Sequence, residues 1–305
     1  MVAFTGAAAA EVSLSGYAEM GIAGGDEKET QLHHDLDVTF KLSGTTDNGL
    51  EFGATIDLDE VGDDCTTGSV ADDTLLPADA DAEEDKVCVG GDGIGSASGE
   101  HSVFIKGGFG NLTMGDTDGA FDWALTEVAM LTAIADDHTT HAGFSGNSGL
   151  DGTYDGQIAR YDYSFGDFAV AASVELDDTG AGDPVWGLGA KYSGDMGGFS
   201  LGVGVGVQSS DTKDIAGISL SAGSGGFDAV VNYSDLDGDT HAGIGLGYTT
   251  GALSVTANYG EFDSGASGWG AAANYDLGGG AVLMVGVGDS DGGDATWSAG
   301  LGLSF

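Results

Sequence analysis

The feature that most constrains this chain is an alternation of apolar residues with polar or small ones, repeated in short runs from end to end. In the first run, one face carries Val12, Leu14, Ala18, Met20 and Ile22, and the other carries Glu11, Ser13, Ser15, Tyr17 and Glu19. Residues 32–43 and 50–59 repeat the pattern. A period of two is the repeat of a β-strand. The alternation therefore predicts an all-β protein.

Further runs give a total of about sixteen strands, an even number within the range of single-chain antiparallel barrels of outer membranes. The connections alternate between minimal turns, such as residues 165–167, 194–198 and 223–226, and longer Asp-rich loops, such as 177–184, 209–213 and 235–239. Short turns on one side and longer polar loops on the other are expected of such barrels.

The two faces of these runs also predict a barrel. Leu201, Val203, Val205 and Val207 oppose Gly202, Gly204, Gly206 and Gln208. The small or polar face cannot fill a soluble core, and it suits a water-filled lumen. Aromatic residues near the run ends resemble the girdles at membrane interfaces, with ordinary strand aromatics as the alternative.

The ends of the chain fit a closed sheet. Residues 297–305 alternate up to Phe305, and this last run should pair with the first one, because an open edge cannot sit in lipid. No run of 18 apolar residues predicts a transmembrane helix, but barrel strands give no such signal.

One stretch, residues 115–157, breaks the rhythm of strand and turn. It contains the apolar residues Phe121, Trp123, Leu125, Val128, Met130, Leu131 and Ile134. A loop of this length in a compact chain is usually functional or disordered, and the apolar residues predict that it packs on something. We therefore expect it to fold into the lumen and to narrow it.

The charge balance excludes a class of partner. The chain has 50 acidic residues and 7 Lys or Arg, for a formal charge of −43. No basic surface exists to neutralise phosphates, so nucleic acid is not expected as a partner. Disorder does not fit, because 41% of the residues are hydrophobic and they alternate regularly. Adaptation to high salt is an alternative cause of the acidity.

Two features indicate export. Residues 1–10 end in Ala8-Ala9-Ala10 and resemble the tail of a signal peptide, with a disordered N-terminus as the alternative. Cys65 and Cys88 lie in one acidic loop, residues 61–99, and predict a disulfide; a two-thiol metal site is the less favoured reading.

Candidate chemical sites are weak. His138 and His141 beside Asp136 and Asp137 have the ligand types of a metal site, but a solvated loop explains them better. Asp235, Asp237 and Asp239 begin like a calcium loop, which then lacks its glycine and its final Glu. We predict no enzyme and no cofactor; adventitious Ca²⁺ between acidic loops is compatible with the sequence.

The chain resembles the sixteen-stranded, Rhodobacter-type trimeric general diffusion porins of α-proteobacteria. The resemblance is carried by EVSLSGYAEMG (11–21), FKLSGTTDNGLEFGA (40–54), FGNLTMGDTDGAF (109–121), YDYSFGDFAVAAS (161–173), YDLGGGA (275–281) and the terminal Phe305. It implies one porin β-barrel domain over residues 11–305: a sixteen-stranded antiparallel transmembrane β-barrel with a long inward-folded constriction loop. It also implies a homotrimer in the outer membrane of a Gram-negative bacterium. The expected contacts are lipid, lipopolysaccharide, small hydrophilic solutes and cations.

The family's constriction loop carries acids, and its facing wall carries bases. In this chain the candidate loop acids are Asp116, Asp118, Asp122, Glu127, Asp136 and Asp137. The facing wall offers Asp35, Asp37, Asp57 and Asp59, with Lys41, Lys106, Arg160 and Lys191 as the few lumen-register cations. Acids on both sides predict a preference for cations. The alternatives are a substrate-specific channel on the same barrel and a soluble secreted acidic Ca²⁺-binding β protein.

Overall fold

The computed structural model describes residues 11–26, 29–58, 101–135, 149–154, 156–177, 179–290 and 295–305. Sixteen antiparallel strands form one closed barrel in which each strand pairs with its neighbours in sequence. The strands are β1 (Glu11–Gly25), β2 (Gln31–Thr45), β3 (Glu51–Leu58), β4 (His101–Gly107), β5 (Gly110–Asp116), β6 (Gln157–Phe165), β7 (Phe168–Glu175), β8 (Val185–Asp195), β9 (Ser200–Ser209), β10 (Asp214–Ser224), β11 (Phe227–Leu236), β12 (Asp239–Thr250), β13 (Leu253–Phe262), β14 (Ser267–Gly278), β15 (Ala281–Ser290) and β16 (Thr296–Ser304). A single-turn helix, α1 (Ala120–Ala124), follows β5. The predicted fold class is confirmed.

Closure of the barrel joins the first strand to the last one. β1 pairs with β2 on one side and with β16 on the other, from Tyr17 opposite Ser304 to Gly25 opposite Thr296. The Phe305 amide donates to the Gly16 carbonyl at 2.9 Å. Since the closed ring pairs the first strand with the last, none of the sixteen described strands leaves an edge to face lipid. The expected pairing of the terminal run is confirmed.

The two faces of the strands have the predicted directions. On β9, Val205 and Val207 point outward and are 43% and 40% exposed, whereas Gly204, Gly206 and Gln208 point inward and are buried. Trp269 and Tyr275 on β14 also point outward. The apolar side chains therefore cover the outside of the barrel, which is the arrangement that a lipid environment requires.

The connections confirm the predicted asymmetry with one correction. The turns after the even-numbered strands are short, as at Gly225-Gly226 between β10 and β11. The sequence predicted an Asp-rich loop at residues 235–239, but Asp237 and Gly238 alone connect β11 to β12. Both have positive φ, 53° and 92°. Asp-Gly is a strong signal for a two-residue hairpin turn, so the loop prediction is wrong.

Several predictions concern residues outside the described part of the chain. These are the signal-peptide tail at residues 1–10, the acidic loop at 61–99 with Cys65 and Cys88, and the wall residue Asp59. The loop residues Asp136, Asp137, His138 and His141 are outside it as well. All of them stay predictions. Among the residues that are described, no helix has the length and the apolar character needed to cross a membrane.

Candidate functional site

The described part of the long loop lies inside the barrel. Residues 117–135 follow β5, and α1 packs against β7, β8 and β9. Phe121, Val128 and Ile134 are completely buried, as the apolar pattern of the stretch predicted. The boundaries differ slightly from the prediction, because Gly115 and Asp116 belong to β5 and Gln157 belongs to β6.

Wall side chains bind the loop backbone along most of the circumference. The Thr126 amide donates to Ser219 Oγ on β10 at 2.9 Å, and Asn232 Nδ2 on β11 donates to the Thr126 carbonyl at 3.4 Å. Further along, the Ile134 carbonyl accepts from Ser298 on β16, and the Ala135 amide donates to Glu19 Oε2 on β1 at 2.9 Å. The loop therefore follows the inner wall from β7 around to β1.

Two carboxylates hold the returning segment, which is described at residues 149–154 and 156. Asp151 accepts a hydrogen bond from the Gly119 amide at 2.6 Å and another from the Gln208 side chain. Glu175, only 2% exposed, accepts from the amides of Tyr154 and Gly156 at 3.1 and 2.8 Å. These carboxylates satisfy backbone donors that would otherwise be buried without a partner.

A compact apolar core fixes the two segments to each other. Phe121 packs with Leu150 from the returning segment and with Val185 and Ile215 from the wall. A second, smaller cluster joins Ala133 and Ile134 to Met284 on β15. The buried apolar packing of this barrel thus lies between the loop and the wall.

The described contacts of the loop fall on β6–β12 and on β14, β15, β16 and β1, so the lumen face of β2–β5 borders the opening that the loop leaves. The strand register places Asp35, Asp37 and Lys41 of β2 on this face, since they lie opposite Glu19, Tyr17 and Ser13 of β1. Asp57 of β3 shares the face and accepts a hydrogen bond from Thr39 at 3.0 Å. These predicted residues therefore lie together on one wall.

Three of the predicted lumen cations have close partners. Lys106 Nζ lies 2.8 Å from Glu51 Oε2, and Arg160 Nε lies 3.7 Å from Asp162 Oδ1. Lys191 Nζ lies 3.7 Å from the centroid of the Trp123 ring and donates to the Trp123 carbonyl at 2.8 Å. Two of these cationic side chains therefore lie beside carboxylates, and the third lies against a ring face and a backbone carbonyl.

The described loop acids form a cluster at the β6–β10 side of the lumen. Burial is the main cause that raises the pKa of Asp122 to about 7, and the nearby carboxylates of Asp118, Glu127 and Asp151 add to it. Burial and Asp118 likewise raise the pKa of Glu127. For Asp151, burial raises the pKa although the hydrogen bonds from Gly119 and Gln208 oppose the rise.

One candidate residue is misplaced. The sequence assigned Asp116 to the lumen loop, but it ends β5 in register with Leu112 and Met114, which point outward. It pairs with Gln157 rather than with a loop residue. Since side chains alternate along a strand, Asp116 belongs to the outer face. The prediction of a pore-lining role for it is wrong.

Other functional residues were missed by the sequence reasoning. Asp151 and Glu175 anchor the loop, Glu19 binds its end, and Asp162 faces Arg160. The alternation of side chains along each strand is enough to place Glu19, Asp162 and Glu175 on the lumen face. Their partners could not be inferred, because this alternation does not show which part of the loop lies against the strand.

The described residues do not indicate a metal centre. Within them, no three His, Cys, Asp or Glu side chains are grouped so that they could hold a metal ion. The Asp235 carboxylate accepts from the Gly238 amide at 2.8 Å as part of the β11–β12 turn. Binding of adventitious Ca²⁺ stays a prediction.

The comparisons with known proteins agree on one family. A family model described as Gram-negative porin matches residues 1–295. A porin of Rhodobacter capsulatus is 28% identical in an alignment of 336 residues. The alignment spans 97% of this chain and 99% of the relative. A porin structure refined at 1.8 Å is 24% identical with a TM-score of 0.69, and covers 97% of this chain and 100% of that chain. A triple mutant of Rhodopseudomonas blastica porin is 18% identical, with the same TM-score and the same coverage.

Proposed function

The chain belongs to the Gram-negative porin family, and on this premise we propose that its barrel is a water-filled diffusion pore with a preference for cations. As a member of this family it is a porin of the outer membrane. Ions and small hydrophilic solutes would pass along the lumen by diffusion, without any chemical change. The closed barrel and its outer-membrane location do not fit the alternative of a soluble secreted Ca²⁺-binding protein.

The observation that carries the cation preference is that carboxylates outnumber cationic side chains among the described residues of the lumen wall and the loop. Lys106 and Arg160 each have a carboxylate beside them, and Lys191 lies on the Trp123 ring. Asp35, Asp37 and Asp57 share the same wall with the exposed Lys41, while Asp118, Asp122 and Glu127 belong to the loop. A ring of carboxylates attracts cations and repels anions.

The titration of the loop predicts that selectivity depends on pH. Below about pH 7, Asp122 is protonated and neutral; above it, the residue adds a negative charge to the loop inside the lumen. We expect the reversal potential in a KCl gradient to indicate stronger cation preference at about pH 8 than at about pH 6, one unit on either side of the midpoint.

Asp122→Asn separates the contribution of this residue from that of every other titratable group in the protein. The native protein and the variant should differ clearly at about pH 8 and little at about pH 6, where Asp122 is mostly neutral already. An equal difference between the two proteins at both pH values would show that Asp122 is not the titrating group.

We further propose that the protein is a homotrimer whose outward face contacts lipid and lipopolysaccharide. Support comes from the family and from the apolar outward side chains of β1, with Val12 and Leu14 more than half exposed in the single chain. Sedimentation in detergent should give the mass of three chains, and the mass of one chain would refute the trimer. A substrate-specific channel on the same barrel stays the alternative.

A further inference from the structure

Three lumen-facing glycines, on β8, β9 and β12, lie directly beneath carbonyl oxygens of the loop. The contacts join Gly189 to Ala120, Gly204 to Ala124, and Gly245 to Val128. A Cβ atom at any of the three would overlap the oxygen above it. Only glycine therefore lets the loop backbone lie this close to the wall. The sequence predicted that the glycine face of β9 lines water; at these positions it is covered by the loop instead.

The contacts have a regular spacing along the loop. The three carbonyls belong to residues 120, 124 and 128, and the next at that interval, Thr132, accepts a hydrogen bond from Asn274 on β14 at 3.2 Å. A four-residue step thus moves the loop from β8 to β9, then to β12 and to β14. The loop follows a fixed course along successive parts of the wall.

Polar wall side chains lie two positions from small ones on the same strand faces. Examples are Gly217 with Ser219, Ser298 with Gly300, and Glu19 with Gly21. Because side chains alternate, both members of each pair face the lumen. The glycine admits the loop, and its polar neighbour binds an amide or a carbonyl of the loop, as described above.

Movement of the loop away from the wall would be unfavourable for two reasons. It would expose Phe121, Val128 and Ile134, which are completely buried in the seated loop. It would also separate backbone groups of the loop from their partners on the wall. Water could replace those hydrogen bonds, but it could not replace the apolar contacts.

From these contacts we infer that Gly189, Gly204 and Gly245 are positioning residues that fix the constriction loop against the wall. The opening is then a permanent feature of the pore rather than a gate formed by movement of this loop. This inference rests on the proposed diffusion function, and it specifies which residues fix the position of the loop that narrows the pore.

A matched pair of substitutions on one strand tests the inference. Gly245→Ala places a methyl group against the Val128 carbonyl, whereas Gly247→Ala places it 3.3 Å from the flexible end of Met130. Both glycines face the lumen from β12, so the chemical change and the strand are the same. In planar bilayers, the native protein and Gly247→Ala should show one steady conductance level. Gly245→Ala should lose it and fluctuate between levels.

Amide hydrogen exchange of residues 120–135 supplies a readout that does not depend on conduction. Exchange should be faster in Gly245→Ala than in Gly247→Ala, because the loop is displaced from its partners on the wall. Equal exchange in the two folded variants, together with the same steady conductance, would overturn the inference. A native protein that forms no channel would instead refute the proposed function, and the exchange comparison would still decide about the glycines.

If Gly245→Ala does not fold, Asn274→Ala is the second variant. It removes the donor to the Thr132 carbonyl without adding volume to the wall. Faster exchange around residue 132 than in the native protein is expected. Exchange at the native rate, with a native conductance trace, would contradict a role of the wall in seating the loop.

Discussion

Replacement of Asp35 and Asp37 together by asparagine is expected to weaken the cation preference of the pore, with a local cation concentration about fourfold lower beside β2. At a distance of ~8 Å in water, one unit charge changes the energy of a monovalent ion by about 0.5 kcal/mol, which is roughly a twofold change in its local concentration. Both residues lie on the lumen face of β2, opposite Glu19 and Tyr17 of β1. Removal of both charges therefore changes the local cation concentration about fourfold.

The measurement is the reversal potential in a KCl gradient, at low ionic strength because salt screens exposed charges. The matched control replaces Asp237 and Asp263 by asparagine. Both are exposed turn residues, so the change in net charge is the same but occurs at the ends of strands. An equal shift for both pairs would mean that selectivity follows the total charge of the protein and not the wall of the lumen.

Phe121→Ala is expected to release the constriction loop from its seat. The ring is completely buried and packs with Leu150, Val185 and Ile215. Removal of a buried phenylalanine side chain typically costs about 3–5 kcal/mol. The loss falls on the core between loop and wall and not on the hydrogen-bonded barrel, so the barrel should still form.

Open-channel current noise and amide exchange of the loop report this effect. Phe199→Ala is the matched control, since Phe199 lies between β8 and β9 and is 61% exposed. The Phe121 variant should show a fluctuating current and faster exchange in residues 120–135, and the control should behave like the native protein. Steady current in both variants would show that the Phe121 core does not hold the loop.

The sequence was sufficient for the barrel because each strand carries its own signal. Alternation on β9 separates Val205 and Val207 from Gly204 and Gly206, and the faces of the sheet follow directly. The need to pair every edge then leads from Phe305 back to the first strand. These inferences depend on the local alternation of residue types and on the requirement of lipid that every strand edge be paired. Neither of the two needs coordinates.

The docking of the loop could not be inferred in the same way. A small lumen-facing residue is compatible with water and with a backbone carbonyl, so glycine at 204 or 245 does not reveal what covers it. Asp116 was assigned to the loop because strand ends are poorly defined by pattern, and one position changes the face. The Asp237-Gly238 turn carried a readable signal, which the abundance of aspartate in the longer loops obscured.

The most direct test of a cation-preferring diffusion pore is the reversal potential of the native protein in a planar bilayer with a KCl gradient. Purified protein should produce stepwise increases in current, and the zero-current potential should have the sign of potassium permeating faster than chloride. A potential of the opposite sign would contradict the account of the lumen charges. No steps at all, from protein that is folded as a barrel, would contradict the pore itself.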